Sequence, residues 1–170
     1  MTEKEQEEIF GQWLKAYKAL LFKVVRVYAF DTDDQDDLFQ EISIQMWKSI
    51  PQFKKESKVS TWLYRIAINT ALNWKRKGKK HFEGRKEVSE AEHILRLSAE
   101  EKDERLDWLY TEISKLNPVD KSLTLLLLDG YSYKEMSNIL GLSESNVGVR
   151  INRIKKHLIN RSEKLNTHGI

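Results

Sequence analysis

Two sets of residues in this sequence carry side chains suited to nucleic acid. Trp62, Arg65, Asn69, Asn73 and Arg76 recur at three-, four- and seven-residue steps, which at about 100° per residue gathers them within roughly 80° of one helical face. An indole ring offers a stacking platform to an unpaired base, Asn amides hydrogen-bond base edges, and Arg neutralises phosphate. The competing assignment puts Trp62 in a hydrophobic core and leaves the neighbouring lysines merely solvated. Farther along, Ser145, Asn146, Arg150, Asn152, Arg153 and Lys156 occupy the outward positions of another predicted helix. Arg and Asn are the side chains that read guanine and adenine in the major groove. Lys155, Lys156 and Arg161 suit phosphate oxygens.

Catalytic and metal chemistry lack comparable support. Asp31, Asp33, Asp34, Asp36 and Asp37 form an acidic turn, but an EF-hand loop needs Gly at its sixth position and Glu at its twelfth. Counted from Asp31, those places hold Asp36 and Ile42. The four histidines, His81, His93, His157 and His168, show no paired ligand spacing. Zero Cys excludes a thiol nucleophile, a disulfide framework and thiolate zinc. A Gly-rich phosphate loop and a serine nucleophile elbow are also missing. The expectation is a protein that is not an enzyme and needs no cofactor or metal.

The elements that must position these residues read as helices. Phe10, Trp13, Leu14, Tyr17, Leu20, Leu21, Val24 and Tyr28 make one apolar stripe over about Gln6 to Tyr28. A second helix starts in the acidic turn, where carboxylates complement the helix dipole. It aligns Leu38, Ile42, Met46 and Ile50 and stops at Pro51. A lysine-bearing loop leads to Ser60 as the expected N-cap of a third helix, Thr61 to about Lys77. Its apolar face is Leu63, Ile66, Ala67, Thr70 and Trp74. Residues 81–98 read as a linker, and Ser98 with Glu101 as a capping box. The next helix buries Leu106, Leu109, Ile113 and Leu116. Asn117-Pro118 opens another, with Leu123 and Leu125 to Leu128, which Gly130 ends. Ser132 and Glu135 then cap a short helix with Met136, Ile139 and Leu140. Gly141-Leu142 turns the chain, and Ser143 caps a longer, basic helix with Val147, Ile151, Ile154 and Leu158 facing inward. A short helix, a Gly-containing turn and a longer basic helix form a helix-turn-helix pattern.

Composition agrees. The chain has 170 residues, 40% hydrophobic and 32% charged, with only 7 Gly and 2 Pro, which favours long helices over a turn-rich β fold. Neither a secretory signal nor an apolar run of the roughly 20 residues that a membrane span needs is found. The net charge of +3 hides a pattern. Residues 1–47 carry 5 basic and 10 acidic groups, residues 48–86 carry 12 and 2, residues 87–112 carry 3 and 9, and residues 113–170 carry 9 and 5. Two basic blocks separated by an acidic one suggest two polyanion-facing surfaces and a connector.

The stretch DDQDDLFQEISIQMWKSIPQFKKESKVSTWLYRIAINTALNWKRK, residues 33 to 77, resembles region two of the sigma-70 family of RNA polymerase sigma factors. LNPVDKSLTLLLLDGYSYKEMSNILGLSESNVGVRINRIKKHLI, residues 116–159, resembles their region four. The lack of other large regions is similar to the extracytoplasmic-function (ECF) group. The resemblance implies an all-α fold of two small helical domains: region two over 5–80, a linker over 81–98 and a region-four helix-turn-helix over 99–165. It implies a cytoplasmic factor, nucleoid-associated in holoenzyme, that binds core polymerase, directs it to promoters and helps to open the DNA. Docking on the clamp coiled coil of the largest subunit carries over to Asp36, Asp37, Leu38, Gln40, Glu41, Gln45 and Trp47. Minus-ten recognition as single strand carries over to the loop, with Lys54, Lys55, Lys58 and Ser60, and to Trp62, Arg65, Asn69, Asn73 and Arg76. Minus-thirty-five recognition falls to Ser143, Ser145, Asn146, Arg150, Asn152, Arg153 and Lys156, with region four also touching the polymerase flap. An anti-sigma factor is a further implied partner. The chain departs from the family at Lys55, where Gly is common, and at Asn146 and Gly148, where Thr and Lys are common. Two other functions fit parts of the pattern: a helix-turn-helix regulator, and a module that binds polymerase or an anti-sigma protein without sigma activity.

Overall fold

The computed structural model describes residues 1–77 and 103–168. Every regular element among them is helical, and the chain divides into two compact units, Met1–Asp107 and Trp108–Ile170. The expected linker, the Ser98–Glu101 capping box, His81 and His93 lie outside the described residues.

The first unit is built on three long helices. Helix α1, Glu3–Tyr28, begins earlier than its apolar stripe predicts. The reason is a capping box: Thr2 accepts from the Glu5 N–H, and the Glu5 carboxylate accepts from the Thr2 N–H at 2.7 Å. The helix bends at Tyr17 and buries Leu20, Leu21, Val24, Val25, Val27 and Tyr28 beyond the bend. Helix α2, Thr32–Ser49, starts in the acidic turn as expected, with Asp31 as N-cap accepting from the Asp34 N–H at 2.8 Å. Leu38, Ile42, Met46 and Ile50 are all buried. A 3-10 turn, Ile50–Gln52, with Pro51 at its start, then turns the chain away.

Helix α3, Val59–Arg76, corrects the expected cap. Lys58, not Ser60, is the N-cap residue, and its side chain makes no capping bond. The Trp62 N–H already donates to the Lys58 carbonyl at 3.1 Å, so the first turn closes two residues earlier than a Ser60 cap requires. The buried face is also wider than the predicted stripe. Tyr64, Ile68 and Ala71 are buried with Leu63, Ala67 and Thr70, whereas Ile66 and Trp74 are half-buried. The helix packs against both α1 and α2, and contact on two sides demands two apolar faces.

The second unit begins within α4, Glu104–Ser114, and contains α5, Pro118–Leu128; α6, Tyr133–Leu140; and α7, Glu144–His168. Its caps follow the sequence. Asn117 accepts from the Asp120 N–H at 3.0 Å with Pro118 in the first turn, and Ser132 and Glu135 form the second capping box. Gly141 takes the left-handed conformation, φ 69°, that ends α6, and Ser143 accepts from the Asn146 N–H at 3.1 Å. Met136, Ile139, Val147, Ile151 and Ile154 close a core with Leu123, Leu125 and Leu126. The helix-turn-helix formed by α6 and α7 is therefore held on α5. Leu109, Leu116, Leu127 and Leu158, also expected in the core, are half-buried, and two more are exposed, Leu106 at 48% and Leu128 at 50%. Each of these last two lies at an end of its helix, where fewer neighbouring elements remain to cover it.

Candidate nucleic-acid interface

In the first unit, Arg65, Asn69 and Asn73 are exposed on α3. Trp62 leads this face but is half-buried. Its indole N–H donates to the Ser49 hydroxyl at 3.3 Å, and its ring leans on Phe53 at 5.6 Å. Phe53 in turn meets Trp13 of α1 edge-on at 5.3 Å. Trp62 is thus both structural and peripheral, anchored on one side by an aromatic row. That arrangement fixes the ring's orientation and avoids the entropy cost of ordering a free side chain. The Arg76 side chain lies outside the described residues.

Lys54, Lys55 and Lys58 are exposed on the loop before α3, and Ser60 is half-buried in its first turn. Lys55 has φ 59°, and no other non-glycine described residue has a positive φ. The backbone therefore keeps the left-handed shape that favours Gly, with a lysine standing in it.

Residues expected at the polymerase separate by burial. Leu38 is fully buried, so it supports α2 from inside and presents nothing to a partner. That corrects its assignment as a contact: its i, i+4, i+8 spacing with Ile42 and Met46 places it on the core face. Trp47 is half-buried, with its ring edge-on to Phe10 at 5.5 Å and its carbonyl accepting from Gln6 at 2.8 Å. Asp36, Asp37, Gln40, Glu41 and Gln45 are half-buried, and Gln45 donates to Glu41 at 3.0 Å.

The structure brings together two groups that the sequence kept apart. Asp37, Glu41 and Gln45 on α2 face Asn69, Asn73 and Trp74 on α3 across a groove of about 580 Å³, with Lys48 and Lys77 also lining it. Trp74 was expected in the core and is instead half-buried in this groove. Its spacing from Thr70 matches the core stripe, so no local pattern could have separated it.

In the second unit, Ser145, Asn146, Asn152, Arg153 and Lys156 are exposed on α7. Arg150 is not a free reader. Its guanidinium pairs with Asp120 of α5 at 2.9 Å, and its Nε donates to Asn146 at 3.2 Å. Ser143 is committed to capping. Arg161, expected on phosphate, instead makes two hydrogen bonds, at 3.1 and 3.2 Å, to the Glu112 carboxylate of α4, which Lys115 joins at 2.9 Å. These bonds from Arg161, reinforced by Lys115, hold the Glu112 carboxyl below its ordinary range despite its burial, and they raise Arg161 in return. Gly148 sits beneath the Tyr133 ring of α6, where an added Cβ would meet the ring at 3.5 Å. Val149 is 56% exposed amid the polar outward positions. The sequence reading omitted it because an apolar residue carries no donor or charge to attract notice.

Among the described residues, no cluster of His, Asp or Glu is arranged to hold a metal ion. Residues 13–81 match the family model described as Sigma-70 region 2, and residues 106–158 match that described as Sigma-70, region 4. The chain is 29% identical to the ECF RNA polymerase sigma-E factor of Escherichia coli K12, covering 96% of this chain and 92% of that protein. It is 27% identical to RNA polymerase sigma factor YlaC of Bacillus subtilis, covering 89% and 88%. Two solved structures share its fold. One is CnrH in complex with the cytosolic domain of CnrY, with TM-score 0.63, 20% identity and coverage of 93% and 90%. The other is RpoE of Bartonella quintana with the anti-sigma factor NepR, with TM-score 0.66, 17% identity and coverage of 89% and 94%.

Proposed function

The chain belongs to the sigma-70 family of RNA polymerase sigma factors, in its extracytoplasmic-function group, and from that premise we propose how its two units divide the work of initiation. The protein binds core RNA polymerase, directs it to specific promoters and helps to open the DNA, with no catalysis of its own. Residues 5–80 serve as region two, 81–98 as the connector and 99–165 as region four. Region four anchors on duplex at the minus-thirty-five element through α7. Region two captures unstacked minus-ten bases with Trp62, Arg65, Asn69, Asn73 and Arg76, and the loop lysines hold the backbone. Asp36, Asp37, Gln40, Glu41 and Gln45 meet the clamp of the polymerase.

Energetics favour this division. Unstacking a base costs a few kcal/mol, and stacking it on an aromatic side chain returns about 1–3 kcal/mol. Region two alone therefore melts duplex poorly and needs the affinity that polymerase and region four supply. The observation that carries the reading is the ordered pair of family matches on a chain whose α3 presents Arg65, Asn69 and Asn73 to solvent.

An anti-sigma partner is supported by a fold neighbour found with the anti-sigma factor NepR. No helix among the described residues is long and apolar enough to cross a membrane. The family's role on RNA polymerase supports action in the cytoplasm, on the nucleoid when in holoenzyme. The test is run-off transcription with purified core polymerase on a fragmented genomic template. Discrete initiation upon adding this chain is the expected outcome. Polymerase binding without initiation would make it an interaction module, and duplex binding without polymerase binding would make it a helix-turn-helix regulator.

A further inference from the structure

The outward side of α7 is not the uniformly basic surface its composition suggests. Ser145, Val149, Asn152 and Lys156 fall within roughly 60° of arc at about 100° per residue, and all four are exposed. Arg153 flanks this stripe, exposed. Arg150 lies well off it, drawn to Asp120 at 2.9 Å and held by Asn146 at 3.2 Å. The middle of the stripe is therefore occupied by one isopropyl group and one amide. Charge is confined to its margin and to its C-terminal end.

That distribution has a chemical consequence in the major groove. An apolar side chain gains there by covering the C5-methyl of thymine, and an Asn amide bonds the N6 and N7 edge of adenine in a bidentate pair. Guanine is read chiefly by Arg or Lys; Lys156 stands at the C-terminal end of the stripe and Arg153 on its flank, so from Ser145 to Asn152 the stripe itself carries neither. Resting on the region-four role above, we infer that Val149 and Asn152 are the specificity-determining pair of α7. Val149 covers a thymine methyl, and Asn152 reads an adenine close by. Arg153 and Lys156 then hold backbone phosphate and confer affinity without sequence preference. Val149 and Asn152 are three residues apart, neighbours on the helix surface, so their two targets lie within the same short A·T-containing step.

Deoxyuridine provides the test, because it pairs as thymidine does and lacks only the methyl. The full-length chain, assembled with core polymerase, selects from a random-sequence duplex pool. Each thymidine of the enriched upstream element is then replaced singly by deoxyuridine, and binding is measured by competition. Loss of one methyl–isopropyl contact should weaken wild-type binding about three- to five-fold at one position. In Val149→Ala that replacement should cost nothing further, and Asn152→Ala should relax the preference for A·T at an adjacent pair. Val149 is 56% exposed, so its replacement by Ala leaves the core intact, which an unchanged denaturation midpoint verifies. An enriched element in which no thymine methyl matters overturns the inference, as does an equal loss in Val149→Ala. Either result leaves the sigma reading standing, because enrichment and transcription persist. A pool with no enriched element, and no transcript, overturns both.

Discussion

Single side chains of this protein are apportioned between folding and binding, and substitutions can separate the two. Asn69 is exposed on α3. Asn69→Ala should change stability by no more than about 0.5 kcal/mol yet slow open-complex formation on a promoter, as permanganate footprinting of unpaired thymines would show. A normal footprint would remove Asn69 from the minus-ten surface. Trp62 cannot be tested so cleanly, because its ring also holds Phe53 and its N–H holds Ser49. Lys55 is the opposite case. Its φ of 59° costs about 1–2 kcal/mol in a residue with a Cβ. Lys55→Gly should therefore raise the denaturation midpoint of the protein, by less than that full cost because Gly has more entropy to lose. If Lys55 touches phosphate, the same substitution should lower the slope of log affinity against log salt by about one. An unchanged slope would mean that the lysine only occupies a glycine's place.

Helices here are set by caps at their ends and by pairings across the core, and both can be altered. Gly148 in α7 costs about 1 kcal/mol relative to Ala in a helix interior. An added methyl would rest against Tyr133 at 3.5 Å, an ordinary contact. Gly148→Ala should stabilise the second unit by about 0.5–1 kcal/mol, measured by urea denaturation. Glu112 ties α4 to α7 through Arg161. Its carboxyl has a lower pKa folded than unfolded, so its stabilising contribution is present above the ordinary value of 4.5. That contribution is lost as pH falls through the lowered folded value. Glu112→Gln should cost about 1–2 kcal/mol at neutral pH and should flatten the pH dependence below about pH 4.5. Unchanged acid sensitivity in the variant would assign that sensitivity to other carboxylates.

Across the whole molecule, charge alternates with role. The acidic N-terminal segment contains α2, the basic block at 48–86 contains the loop and α3, and the second basic block contains α7. Such segregation steers encounter more than it adds affinity. Glu41→Lys should therefore slow association with core polymerase, by a factor that shrinks as salt rises, in stopped-flow measurements. A salt-independent defect would indicate a packed contact instead. The groove between α2 and α3 adds a second expectation. Because residues proposed to face polymerase and residues proposed to face bases line the same space, that variant should also alter minus-ten affinity in the assembled holoenzyme.

How much of this was legible in the chain depends on the range of the forces involved. Helices, caps and the turn at Gly141 are local, each decided by residues three or four positions apart, and the sequence alone determined them. It also determined the family, because two ordered strings survive as strings. Even so, the start of α3 slipped, since a hydrogen bond to the Lys58 carbonyl outweighed the cap preference of Ser60. Tertiary structure alone decided the long-range pairings. Arg150 has the chemistry of a base reader, and its pairing with Asp120, 30 positions away, is not visible in the chain. Arg161 has the chemistry of a phosphate contact, and its bonds to Glu112, 49 positions away, are equally invisible there. Leu38 matched a partner-binding motif until the packing of α1, α2 and α3 enclosed it. The physical reason is the same in each case. A charge or an apolar surface satisfies itself with whatever the fold brings near, and no spacing along the chain records what that will be.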